Sequence, residues 1–214
     1  MGEQEAELNS IINVLDKAQA LPYVLLVGSW VEIVYAKAGL LRSFKANIRT
    51  LDVDFLIPNM RKPSQPVNVC AIARENGFLI MTDRLNGTTK IKTPGGLDVE
   101  FLIGKRGAGA EHALKTNIGV CAQSLWHMDI LVRSAVRVGY EGREIVVPSP
   151  EGYVTQKMVI NHERGRKASK DAQAVINLMP YLDQHELRNQ LRLLTVKEKR
   201  YVDEFMQQHG LDFA

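Results

Sequence analysis

Apolar residues recur along the chain with two different periods, and the switches between them mark out the elements. Leu8, Ile11, Ile12, Leu15 and Ala18 fall at helical spacing, so 3–20 reads as an amphipathic helix ended by Pro22. "YVLLVG" at 23–28 is a short buried strand stopped by Gly28; Ser29 is a preferred helix N-cap, and 30–41 is the helix it starts. "RTLDVDFLIP" at 49–58 is a second strand, closed by Pro58. Val67 to Asn76 reads as a helix with Gly77 as its stop. "FLIMTDRL" and "TTKIKT" flank Asn86-Gly87, a strong hairpin signal, and Gly95-Gly96 turns the chain into the strand "LDVEFLI" at 97–103. The order strand, helix, strand, helix, hairpin, strand predicts one mixed sheet covered by helices, an α/β (α+β) architecture.

The second half has a different pattern. Residues 120–133 read as a helix and 134–148 as a hairpin around Glu141-Gly142. Helices follow at about 151–163, 169–181, 184–194 and 197–209. This change predicts a core domain at 1–110 and a mostly helical domain with a β-hairpin at 111–214. The glycine-rich "GKRGAGAEH" is the expected linker; it lacks the Gly-Lys-Ser/Thr order of a phosphate loop.

Composition narrows the class without naming it. The 214 residues are 45% hydrophobic and 24% charged, ordinary for a globular chain, and the net charge of +3 admits anionic ligands without identifying one. Cys70 and Cys121 have no paired spacing and read as buried free thiols of a reducing compartment. No apolar run approaches the ~18 residues of a membrane span. The acidic start "MGEQEAELNS" is unlike a secretory signal, so the expected location is cytoplasmic, with no membrane partner. None of the five histidines has metal-ligand spacing, which argues against a zinc hydrolase. Trp30 and Trp126 read as core residues.

The chemistry concentrates in two strands. Asp52 and Asp54, at i and i+2, share one strand face with Leu56, while Val53 and Phe55 take the other. Two adjacent carboxylates repel and stay ionised together only when cations or donors offset them. Divalent ions bridging carboxylates and phosphate oxygens do this in phosphoryl transfer. Pairing with Arg49 or Lys45 is the plainer alternative. Asp98 and Glu100 repeat the motif on a later strand. Gly28 and Ser29 open a helix, whose unpaired N–H groups favour phosphate, although a simple turn and cap would look the same.

Val27-Gly28-Ser29 before a helix, Asp52-Val53-Asp54 on a strand and Glu100 in "VEFL" together resemble the nucleotidyltransferase superfamily that includes DNA polymerase beta. The resemblance covers 23–103, and the 22 residues between Ser29 and Asp52 depart from the family's shorter spacing, as a longer helix or an inserted basic loop, "LLRSFKANIR", would require. "VPSPEGYVTQKMVINHERGRKASKDAQAVINLM" looks like the helical region of minimal nucleotidyltransferases related to AbiEii-type toxins, with Lys157, then Arg164, Arg166 and Lys167, then Lys170-Asp171. The resemblance implies a nucleotidyltransferase core and Mg²⁺, with Mn²⁺ as the alternative, held by Asp52, Asp54 and Glu100, with Asp98 as the rival third ligand. It implies Gly28 and Ser29 seating the β/γ-phosphates, Lys157 reaching the triphosphate and Asp171 orienting it. The implied activity moves a nucleoside monophosphate from an NTP to a hydroxyl of a tRNA, a protein or a small molecule. Arg42, Lys45, Arg49, Arg164, Arg166 and Lys167 would guide an anionic acceptor or the triphosphate. The competing expectations are a non-catalytic binding module of the same fold and the toxin of a toxin–antitoxin pair.

Overall fold

The computed structural model describes residues 3–46, 50–105, 107 and 113–212. Arg49 and most of the glycine-rich stretch read as a linker therefore lie outside the described residues.

The first helix, α1 (Glu3–Lys17), packs Leu8, Ile11, Ile12 and Leu15 into the core, as its period dictates. A 3-10 turn at Leu21–Tyr23 leads into β1 (Leu25–Val27). A second 3-10 turn, Gly28–Trp30, opens α2 (Val31–Lys37). Ser29 is thus inside the turn, and its side chain caps nothing; the expected N-cap is corrected. The helix is also shorter than 30–41, because the N–H groups of Leu40 and Leu41 fold back onto the Tyr35 carbonyl.

The chain continues through β2 (Asp52–Ile57), α3 (Val69–Glu75), β3 (Leu79–Thr82), β4 (Thr89–Lys92) and β5 (Asp98–Gly104). Next come β6 (Ala113–Lys115), β7 (Cys121–Leu125) and α4 (Met128–Arg133). The single helix expected at 120–133 is therefore a strand followed by a short helix. Val120, Ala122 and Ser124 are buried while the residues between them are partly exposed, the period-2 burial of a strand.

One mixed sheet runs β1-β2-β5-β4-β3, and β7 pairs with the far end of β5 and with β6. The strands β2 and β5 are parallel and in register from Asp52–Asp98 to Ile57–Ile103. This register sorts the side chains. Val53, Phe55 and Ile57 join Val99, Phe101 and Ile103 in the main core, where the Phe55 and Phe101 rings stack at 6.2 Å. Leu56 and Leu102 face the other way, into a small cluster with Leu25, Val27, Met128 and Leu131.

The remaining elements are the hairpin β8 (Ala135–Tyr140) and β9 (Arg143–Pro148), then α5 (Pro150–Ile160), α6 (Ala168–Leu178), α7 (Gln184–Arg192) and α8 (Val196–His209). Ser149 caps α5 by accepting from the Gly152 N–H. Every residue of α5 from Pro150 to Val159 is buried, so this helix is a central axle rather than a surface element. Among the described residues no helix is long and apolar enough to cross a membrane.

Candidate active site

The acids form a row on the sheet face that also carries Leu56 and Leu102. Asp52 pairs in register with Asp98, and Asp54 with Glu100. The antiparallel β4 then sets Lys90 opposite Glu100 and Lys92 opposite Asp98. Lys90 Nζ lies 2.6 Å from Glu100 Oε1. Lys92 Nζ lies 3.3 Å from Asp98 Oδ1, an ion pair without hydrogen-bond alignment. Cross-strand charge pairing thus offsets the two acids of β5. Asp52 and Asp54 have no ion pair among the described residues, and Lys45, one of their alternative partners, lines a different cavity.

Asp54 is the extreme case. Burial first, then the neighbouring Glu100 and Asp52 charges, push its carboxyl up to about 6, against the pull of Lys167 and Arg164. Gly28 crosses directly above it with φ +70°, and a Cβ there would stand 2.5 Å from Asp54 Oδ2. The glycine is therefore required twice, by its left-handed backbone and by the close approach of the carboxylate.

The axle helix α5 brings the opposing groups. Its residues Tyr153, Gln156, Lys157 and Ile160, on one helical stripe, line a cavity of about 380 Å³ together with Gly28, Asp54 and Glu100. Arg164 and Lys167 line the same space. Lys157 is held by Asp171, Nζ to Oδ1 at 2.5 Å, and Arg164 Nε donates to the other oxygen, Oδ2, at 2.7 Å. Burial raises the Asp171 carboxyl, but Lys157 and Arg164 outweigh it and hold the group below the usual range.

A second cavity of about 640 Å³ adjoins the first, sharing Tyr153 and Lys157. It is lined by Ser29, Glu32, Lys45 and Lys170 among others. Tyr153 Oη donates to Glu32 Oε1 at 3.1 Å. Burial raises Glu32, and the Tyr153 hydrogen bond with the Lys157 and Lys170 charges oppose the rise.

Of the residues singled out from sequence, Gly28, Asp54, Glu100 and Lys157 line one cavity. Asp52 stands on the same strand face outside its lining, Ser29 lines the neighbouring cavity, and Asp171 reaches the site through Lys157. Sequence reading missed Lys90, Lys92, Glu32 and Tyr153. Lys90 and Lys92 were visible as an alternation in "TTKIKT" opposite "LDVEF"; Glu32 and Tyr153 carried no pattern.

The acids are hard oxygen donors suited in kind to Mg²⁺ or Mn²⁺, and a cation beside Asp54 would offset the Glu100 and Asp52 charges that help to raise its carboxyl. As the side chains stand, no three His, Cys, Asp or Glu groups among the described residues are gathered to hold a metal ion.

A family model described as nucleotidyltransferase matches residues 6–195 of the chain. The chain belongs to the nucleotidyltransferase family. No curated protein matches this nucleotidyltransferase. Its fold is similar to that of an antigenic nucleotidyltransferase-like protein from Paracoccidioides brasiliensis, at 13% identity and a TM-score of 0.51, over 94% of this chain and 88% of the other. It is similar also to ANT(2'')-Ia in complex with adenylyl-2''-tobramycin, at 13% identity and a TM-score of 0.52, over 95% and 99% of the two chains. These likenesses agree with the mixed-sheet architecture expected from the sequence.

Proposed function

We propose that this nucleotidyltransferase moves a nucleoside monophosphate from an NTP to a hydroxyl acceptor in the cavity between β2, β5 and α5. The observation that carries the reading is the meeting of Asp54, Glu100, Gly28 and Lys157 in one cavity, with basic residues opposite the acids. Asp52, Asp54 and Glu100 would hold a divalent ion, which supplies Lewis-acid polarisation of phosphate oxygens when bound.

The chain's own groups do the rest. Gly28, lacking a side chain, lets the phosphates approach the backbone, with Ser29 alongside in the adjoining cavity. Lys157, fixed by Asp171, faces the cavity as a preset positive charge for the triphosphate and the departing pyrophosphate. Arg164 and Lys167 widen that positive wall. The acceptor oxygen bonds to the α-phosphorus, the bond to pyrophosphate breaks, and Glu100 or another of the three carboxylates would take the hydroxyl proton. Catalysis is then positioning plus electrostatics.

Calorimetry with each NTP, with Mg²⁺ and with EDTA, tests this. The expected result is metal-dependent binding of at least one NTP, lost tenfold or more in Lys157→Ala, with the metal dependence abolished in Asp54→Asn. Equal binding in EDTA would falsify the metal assignment.

A further inference from the structure

A third cavity, of about 1010 Å³, adjoins the carboxylate cavity, sharing Trp126, Met128 and Glu163 with it and no lining residue with the cavity of Ser29. It lies between the chain segments leaving β2 and β5, the helix α4 and the start of α8. We propose that it is the acceptor site, and that it takes a hydroxylated small molecule with a flat apolar body, aromatic above all, and an anionic group. This inference rests on the nucleotidyl-transfer reading.

Three observations carry it. The first is apolar surface where none is needed for folding. Met60, Leu114 and Trp126 are 50%, 44% and 43% exposed, and all three converge on this one cavity. Clustered exposed apolar side chains mark binding surfaces. Mostly apolar cavities of about 300–1,000 Å³ are the size that encloses a small ligand.

The second is the balance of charge. Each acid on the lining already has a side-chain partner, a guanidinium for Asp129 and an imidazole for Glu198 and Glu163. Asp129 pairs with Arg133 at 3.3 Å, Glu198 with His127 at 2.7 Å and Glu163 with His162 at 3.2 Å. Lys105 and Lys197 have no carboxylate partner among the described residues; they rest over the Trp126 and Tyr201 rings, at 4.8 Å and 5.6 Å from the ring centres. The cavity therefore offers uncommitted positive charge and committed negative charge, the reverse of what a polycation needs.

The third is a polar anchor built at a cost. His127 has φ 60°, a left-handed conformation that costs a residue with a side chain about 1 kcal/mol or more. Glu198 accepts from Thr195 N and Oγ1 as well as contacting His127, so the histidine Nδ1 is the donor of that pair. Nε2 has no partner among the described residues, and the ring lines the cavity. A hydrogen-bonding group held this way orients a ligand inside an otherwise apolar space.

Trp126 itself is the reporter, because Trp30, the other tryptophan, is fully buried. The nucleotide-free protein is titrated with 3-(4-hydroxyphenyl)propanoate, 3-phenyllactate and spermine, following tryptophan fluorescence excited at the red edge of its absorption, and the variants are read by calorimetry. The expected result is saturable quenching by the aromatic hydroxy acids and weaker binding of spermine. Trp126→Leu and Lys105→Ala should each weaken the acids tenfold or more, and Lys105→Ala, which lies outside the carboxylate cavity, should leave NTP affinity unchanged. His127→Ala should weaken them less than Trp126→Leu. The proposal is overturned if neither acid binds, if spermine binds as tightly, or if both Trp126→Leu and Lys105→Ala leave the acids unaffected. Failure of the wild-type protein to bind any NTP would instead strike the nucleotidyl-transfer reading.

Discussion

Asp54 and Asp171 are both enclosed acids, and they have opposite electrostatic solutions. Asp171 is saturated by Lys157 and Arg164, one on each oxygen, whereas Asp54 faces two other acids and no paired cation. In EDTA, Asp54 should make stability fall as pH rises from about 4 to about 6. Over that window the native carboxyl still holds the proton that the unfolded one has lost. The loss is at most about 3 kcal/mol, from a shift of about two pH units. Asp54→Asn should remove this slope and raise the urea midpoint at pH 7. An unchanged pH profile would mean that the carboxyl titrates normally. Asp171→Ala should do the reverse and cost about 3–5 kcal/mol, because it strands the buried Lys157 ammonium. Arg164→Ala should cost less, since Arg164 is 35% exposed and Lys157 would keep its partner. Chemical denaturation of the three proteins orders these effects. The acids themselves were legible because a charge at every second position of an apolar run can only be a strand face. Their pairing with Lys90 was not, since it depends on how β4 registers against β5.

At the level of elements, α5 does most of the positioning, and its first turn is seated closely against Ser134. A Cβ on Gly152 would meet Ser134 Oγ and Cβ, so Gly152→Ala must push the helix away from the segment joining α4 and β8. The expected cost is about 1–3 kcal/mol of stability. NTP affinity should fall with it, because Tyr153, Gln156 and Lys157 ride on the same helix. Adding Ser134→Gly should recover much of both losses; if it recovers neither, the contact is not what seats α5. The C-terminal helices and both hairpins were readable from period and turn residues. The strand β7 was not, because its buried positions are the small Ala122 and Ser124, which carry little hydrophobic signal. Ser29 misled for a related reason: a good capping residue was present, but the chain enters α2 through a tight 3-10 turn that starts one residue earlier.

Across the whole molecule, one apolar cluster runs from Leu8 on α1 to Met206 on α8, and β6 and β7 extend the sheet begun by β1 and β2. Thermal unfolding should therefore be a single transition, with circular dichroism and tryptophan fluorescence melting together. Separate midpoints would show that the C-terminal helices unfold on their own. The three cavities stand in a row, the outer two each sharing walls with the middle one and not, among their linings, with each other. On the proposed reading this row dictates traffic. Donor and acceptor would reach the shared cavity from separate ones, so neither has to leave before the other arrives. Double-reciprocal rate plots should then intersect, the signature of a ternary complex, rather than run parallel as they do for an enzyme that carries the nucleotide on itself between two half-reactions.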